Sequence, residues 1–168
     1  MNIFHIHNWD HTIKHWDEEY LREENPPMRE FYFDLKDMLI FIKDYVEYLS
    51  FKEGILVSLY GGRFIGVPYD DYYKQCVEEV TKWLHERNMR INSSGGLKLS
   101  KEELIDCIDI ISESEFMGMS GLCIMIPESG VIIEVQHHMN YLIYTNDVEK
   151  QKNIIKELIE SHSNVTMF

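Results

Sequence analysis

Apolar and polar positions alternate weakly over residues 2–7 and predict a short first strand. Asn8 or Asp10 can cap a helix running to about residue 24, in which Trp9, Ile13, Trp16 and Tyr20 recur at helical spacing. Pro26-Pro27 ends it, because proline has no N–H to donate and its ring meets the preceding turn. Residues 30–33 read as a second short strand. The clearest helical period follows over 34–49, with Leu35, Met38, Leu39, Ile42, Val46 and Leu49 on one side and Asp34 as its N-cap. Residues 55–60 are β-rich, Gly61-Gly62 can supply the positive φ of a tight turn, and 63–67 return, which predicts a hairpin.

Asp70 or Asp71 then caps a helix to about residue 87, with Tyr73, Val77, Val80 and Leu84 inward. Ser93-Ser94-Gly95-Gly96 reads as a loop. Ser100 and Glu103 have capping-box spacing ahead of a helix that turns Leu104, Ile108 and Ile111 inward. Residues 122–126, 131–136 and 141–145 form a predicted meander, and Asp147 caps a last helix with Val148, Ile154, Ile155, Leu158 and Ile159 on its apolar side. Residues 165–168 can add an edge strand. Strands and helices are partly segregated, so the expected class is α+β: an antiparallel sheet of hairpin and meander strands packed with about five helices.

The 168 residues suit a single globular domain over 1–168. At 45% hydrophobic and 12% aromatic, the chain can build a core without a disulfide or a metal. Its 29 acidic against 16 basic residues leave a net charge of −13, which repels phosphate backbones and anionic headgroups. Nucleic acid and membrane are therefore not expected partners, whereas a basic protein is. Cys76, Cys107 and Cys123 are widely spaced and fall in helical or apolar strand patterns, as free thiols of a reducing compartment do. With no basic-then-apolar leader and no run near the ~20 residues of a membrane span, the expected location is cytoplasmic.

Several clusters invite chemistry. His5 and His7 are two apart on a strand, and His11 and His15 are four apart on a helix, so each pair can share a face and hold a transition metal. That would suit a small metal-dependent hydrolase, although no H-E-x-x-H context accompanies the histidines, and surface histidines are the plainer reading. Cys123 sits among apolar neighbours that disfavour a thiolate, so a packing role is expected. Ser120 in Gly118-Met119-Ser120-Gly121 precedes a strand rather than a helix, unlike a nucleophile elbow. The glycine pairs lack phosphate-loop spacing. No catalytic residue, bound cofactor or metal is assigned, and a regulatory domain with a small-molecule pocket stays open as an alternative.

Carboxylates and tyrosines give the sharper pattern. Lys101 is followed by Glu102, Glu103, Asp106, Asp109, Glu113 and Glu115 with no further cation. Tyr69-Asp70-Asp71-Tyr72-Tyr73 stands at a predicted strand-to-helix junction, where three tyrosines cannot all face inward. Tyrosine brings large contact area, few rotors and a polar tip to interfaces. The candidate partner-binding residues are therefore Tyr69, Asp70, Asp71, Tyr72, Asp109, Glu113 and Glu115, with His5, His7, His11 and His15 as the alternative metal set.

In size, acidity, cysteine usage and want of a catalytic motif, the whole chain resembles the immunity proteins of bacterial toxin–immunity systems, those of contact-dependent inhibition included. The resemblance is at the level of the class and matches no motif. It implies a non-enzymatic protein that binds one cognate toxin, often a basic nuclease, and blocks its active site.

Overall fold

The computed structural model describes residues 2–8, 28–58, 71–89, 96–116, 122–136, 140–162 and 165–167. They form seven strands: β1 (Asn2–Asn8), β2 (Glu53–Ser58), β3 (Gly96–Ser100), β4 (Leu122–Ile126), β5 (Val131–Gln136), β6 (Asn140–Thr145) and β7 (Val165–Met167). The helices are α1 (Met28–Tyr48), α2 (Asp71–Glu86), α3 (Lys101–Phe116) and α4 (Val148–Ser161). The strands make one antiparallel sheet in the order β3-β2-β4-β5-β6-β1-β7. The α+β class is thus observed, with four helices among the described residues. The helix predicted up to residue 24 lies outside them.

Register explains how the sheet builds its helix-facing side. Leu97, Leu56, Ile124, Ile133, Ile143 and Phe4 stand opposite one another across six strands. All join the core, Leu97 at its margin. Against this side lie helices in the order α2-α3-α1-α4, with α3 over β2, β3 and β5, α1 over β1 and β7, and α4 beside β7. Met38, Phe41, Ile42, Tyr45 and Val46 of α1 and Leu104, Cys107, Ile108 and Ile111 of α3 are the buried stripes that face it. Two buried hydroxyls tie parts of the layer together: Tyr141 donates to Ser112 Oγ at 2.9 Å, and Tyr45 donates to Gln151 Oε1 at 2.7 Å.

Local signals hold where side chains close their own bonds. Ser100 N–H donates to Glu103 Oε2 at 3.0 Å while Glu103 N–H donates to Ser100 Oγ at 3.2 Å, the reciprocal box read from the spacing. Asp147 accepts from Lys150 N–H at 3.3 Å at the start of α4. Between β4 and β5, Gly130 takes the left-handed φ of 63° that glycine adopts without strain.

Three expectations are corrected. Residues 30–33 belong to α1, not to a strand. Phe31 precedes Leu35, Met38 and Ile42 at i, i+4, i+7 and i+11, so the aromatic run continues a helical period. Gly96, the last residue of the expected loop, instead opens β3, a strand not expected from the sequence, which pairs Leu99 with Gly54 and Leu97 with Leu56. Finally, from Ile55 to Val57 both edges of β2 are taken, by β3 and by β4. That stretch has no edge left for the hairpin partner expected at 63–67, residues which themselves lie outside the described ones.

Candidate protein-binding surface

The predicted interface residues fall in different places. Tyr69 and Asp70 lie outside the described residues. Asp71 and Tyr72 open α2, and Glu113 and Glu115 lie in the last turn of α3; in each case the backbone is described and the side chain is not. Asp109 is described in full, and it is already engaged: its Oδ2 receives the Lys43 ammonium of α1, both side chains being partly exposed. This carboxylate bridges α1 and α3.

The same consumption of cations recurs over the helical layer. The Lys101 ammonium donates to the backbone carbonyls of Glu47 and, at 2.7 Å, Leu49, and it lies 5.4 Å from the centre of the Phe51 ring. Those carbonyls end α1, which has no basic residue in its own last turn. Lys101, at the head of α3, thereby caps α1 and complements its negative end. Arg87 lies 4.1 Å over Trp83, donates to the Trp83 carbonyl at 3.2 Å and approaches Glu103 at 3.9 Å. Lys98 pairs with Glu53 across β3 and β2.

On the described parts of the helices, exposed carboxylates outnumber the exposed lysines Lys36, Lys82, Lys150 and Lys156. Glu47 of α1, Glu78, Glu79 and Glu86 of α2, Glu102 and Asp106 of α3, and Glu149, Glu157 and Glu160 of α4 are all exposed. The acid of Glu102 is held below its ordinary value, chiefly by its own backbone N–H and then by Ser100. It is charged throughout the neutral range. An open groove of about 530 Å³ runs along α2, lined by Glu78, Thr81, Lys82, His85 and Glu86. The described helical layer therefore presents more negative than positive charge to solvent, and three of its cations, Lys43, Arg87 and Lys101, serve the fold.

The opposite side of the sheet carries a different chemistry. There Cys123 faces Glu134, and Glu134 faces Leu142, on adjacent strands. All three are buried. The Tyr144 hydroxyl donates to Glu134 Oε2 at 2.6 Å. Burial first, and then the negative charge of Glu134, push the Cys123 thiol up to about 11. Burial pushes the Cys107 thiol up to about 12. Both remain protonated at neutral pH and behave as small apolar groups rather than nucleophiles.

His5 projects from this same side between the buried Phe4 and Ile6, and it is exposed. The backbone of His7 pairs with Asn140 and Thr166; its side chain, and all of His11 and His15, lie outside what is described. Among the described residues no three His, Cys, Asp or Glu side chains are grouped to hold a metal ion. Among them, too, no helix is long and apolar enough to cross a membrane.

Sequence reasoning missed the roles of Lys43 and Lys101. A single lysine in an acidic run reads as solvated, and only the packing of α3 against α1 shows where its ammonium goes. No protein-family model matches the chain, and neither a curated protein nor a solved structure does.

Proposed function

We propose that the chain is an immunity-type inhibitor, acting in the cytoplasm, that binds and neutralises a cognate basic toxin domain by covering its active site. The observation that supports this reading is the asymmetry of the helical surface. On the described parts of the four helices, nine exposed carboxylates stand against the four exposed lysines Lys36, Lys82, Lys150 and Lys156, while Lys43, Arg87 and Lys101 are held by carboxylates, carbonyls or rings of the chain itself. Such a surface raises the encounter rate with a positive partner and repels nucleic acid, so a nuclease that grips phosphates offers it a matching cleft. Inhibition of this kind uses charge and shape and asks no chemistry of the protonated thiols.

The test is direct. The toxin domain encoded beside this gene is purified and assayed with and without an equimolar amount of the chain. A stable complex and loss of toxin activity are expected, with association slowing as salt is raised. If no neighbouring toxin domain binds at micromolar concentration, or if it binds with full activity, the reading fails.

A further inference from the structure

Resting on that reading, we propose that the outer stripe of α1 formed by Ile40, Asp44 and Tyr48, flanked by Glu47 and by Glu157 of α4, is the docking surface for an arginine-bearing face of the basic partner.

The stripe follows from spacing. Ile40, Asp44 and Tyr48 are four apart and share one side of α1, and Glu47 lies three beyond Asp44 on the same side. The other side of this helix is the core, with Met38, Phe41, Ile42 and Tyr45 each 0–1% exposed. Ile40 is 39% and Tyr48 51% exposed, and they are two of the three large apolar side chains exposed among the described residues. Single exposed aliphatics are ordinary. Two on one stripe, separated by a carboxylate and edged by others, have the make-up of an interface centre with a polar rim.

The polar groups of the stripe are held in position. The Tyr48 hydroxyl donates to Glu157 Oε2 at 3.3 Å, linking the ring to α4. Asp44 Oδ2 lies 3.0 Å from His162 Nε2, and the His162 ring meets Phe41 edge-on at 5.8 Å between centres. Asp44 is fixed while its carboxylate stays partly exposed. Binding therefore orders few new rotors, which lowers its entropic cost.

Charge selects the occupant. Asp44, Glu47 and Glu157 surround Tyr48; the ammoniums of Lys43 and Lys101 are turned to Asp109 and to the end of α1, and the exposed Lys156 stands next to Glu157 on α4, leaving three carboxylates against one outward cation. Lys36, one turn before Ile40 and exposed, bounds the stripe at its N-terminal end. A guanidinium matches this arrangement best: its plane lies on the Tyr48 ring and its fork meets a neighbouring carboxylate, while an apolar side chain next to the arginine covers Ile40, about 12 Å along the helix.

The probe is a synthetic helical peptide with two arginines four apart flanking a leucine, titrated into the ¹⁵N-labelled full chain. A counterpart carrying glutamate for arginine is the control. We expect salt-sensitive shifts centred on the amides of Asp44, Glu47, Tyr48 and Glu157, and none with the control. Tyr48→Ser should weaken binding about tenfold, the loss typical of a central aromatic. Asp106→Asn, on exposed α3, should leave it unchanged. Circular dichroism of each variant should match the parent, since both substituted side chains are exposed. Shifts centred instead on α2 or α3, or a Tyr48→Ser variant of parental affinity, overturn the stripe and leave the acidic-surface reading standing. No binding of the arginine peptide anywhere, or equal binding of the control, removes the stripe and also the charge argument beneath the inhibitor reading.

Discussion

Gly54→Ala should destabilise the protein even though alanine is usually the better residue. Gly54 lies on β2 beneath α3, and a Cβ built on it would run into Leu104 Cδ1 and come 3.2 Å from the Met125 carbonyl oxygen. Leu104 is fully buried, so its methyl has no free space to move into. Two effects oppose. Removing glycine's freedom from the unfolded chain contributes about 0.4–1 kcal/mol of stability. Forcing a methyl into a filled core costs about 1–3 kcal/mol. The contact is with an enclosed side chain and a backbone oxygen, so the second effect should win by about 1–2 kcal/mol. The measurement is the denaturant midpoint, followed by tryptophan fluorescence, for the parent, Gly54→Ala, Leu104→Ala and the double variant. Leu104→Ala alone should cost about 2–5 kcal/mol. In the Gly54→Ala background it should cost less by about 1 kcal/mol or more, because the new methyl occupies part of the vacated space. A neutral or stabilising Gly54→Ala, or additivity within about 0.5 kcal/mol, would refute the close approach of α3 to β2.

Lys101→Met should lower stability by about 1–2 kcal/mol through the loss of charge-assisted bonds to the end of α1, and should speed amide exchange at residues 45–50; unchanged exchange there would contradict the capping role. Lys43→Met combined with Asp109→Asn in a double-mutant cycle should show a coupling of no more than about 1 kcal/mol, because the pair is partly exposed; a coupling well above that would mean a drier bridge. In a Cys76→Ser background the folded chain should resist a thiol reagent at pH 8: a thiol at about 11 is roughly 0.1% thiolate there, against roughly a quarter for an ordinary exposed cysteine. The same thiols set a pH dependence. Their native values lie above the unfolded ones, so the unfolded chain binds fewer protons from about pH 8.5 upward, and stability should fall between there and the native values of about 11 and 12. Urea midpoints equal at pH 7.5 and pH 10 would contradict this.

Much of the fold was legible because it depends on short-range rules. The meander of β4, β5 and β6, the capping box at Ser100 and Glu103, the Asp147 cap and the tail strand each declare themselves within a few residues. Pairing partners of β2 did not. A glycine pair after a β-rich run reads as a hairpin, yet β2 takes β3 and β4, some forty and seventy residues onward. The surface was legible only as a charge balance. Which carboxylates are free depends on where each lysine lands, and Asp109 shows the difficulty: from the sequence it is one acid among six, and in the fold it holds Lys43. Ile40 and Tyr48 were equally hidden, since a helical period identifies the side that is buried and says little about the apolar residues left outside it.

The position of β1 governs when the sheet can be finished. β1, the first of the seven strands in chain order, is wedged between β6 and β7, and its His5 lies opposite Leu142, more than 130 residues later. At synthesis rates of about 5–20 residues per second it waits on the order of ten seconds for a neighbour. Closing so long a loop adds to the kinetic barrier of folding. Until then Ile3, Phe4 and Ile6 are presented on an unpaired edge, open to any passing strand. The nascent chain should therefore need a chaperone's protection over β1, and strand closure by β6 should be the late, slow event of folding.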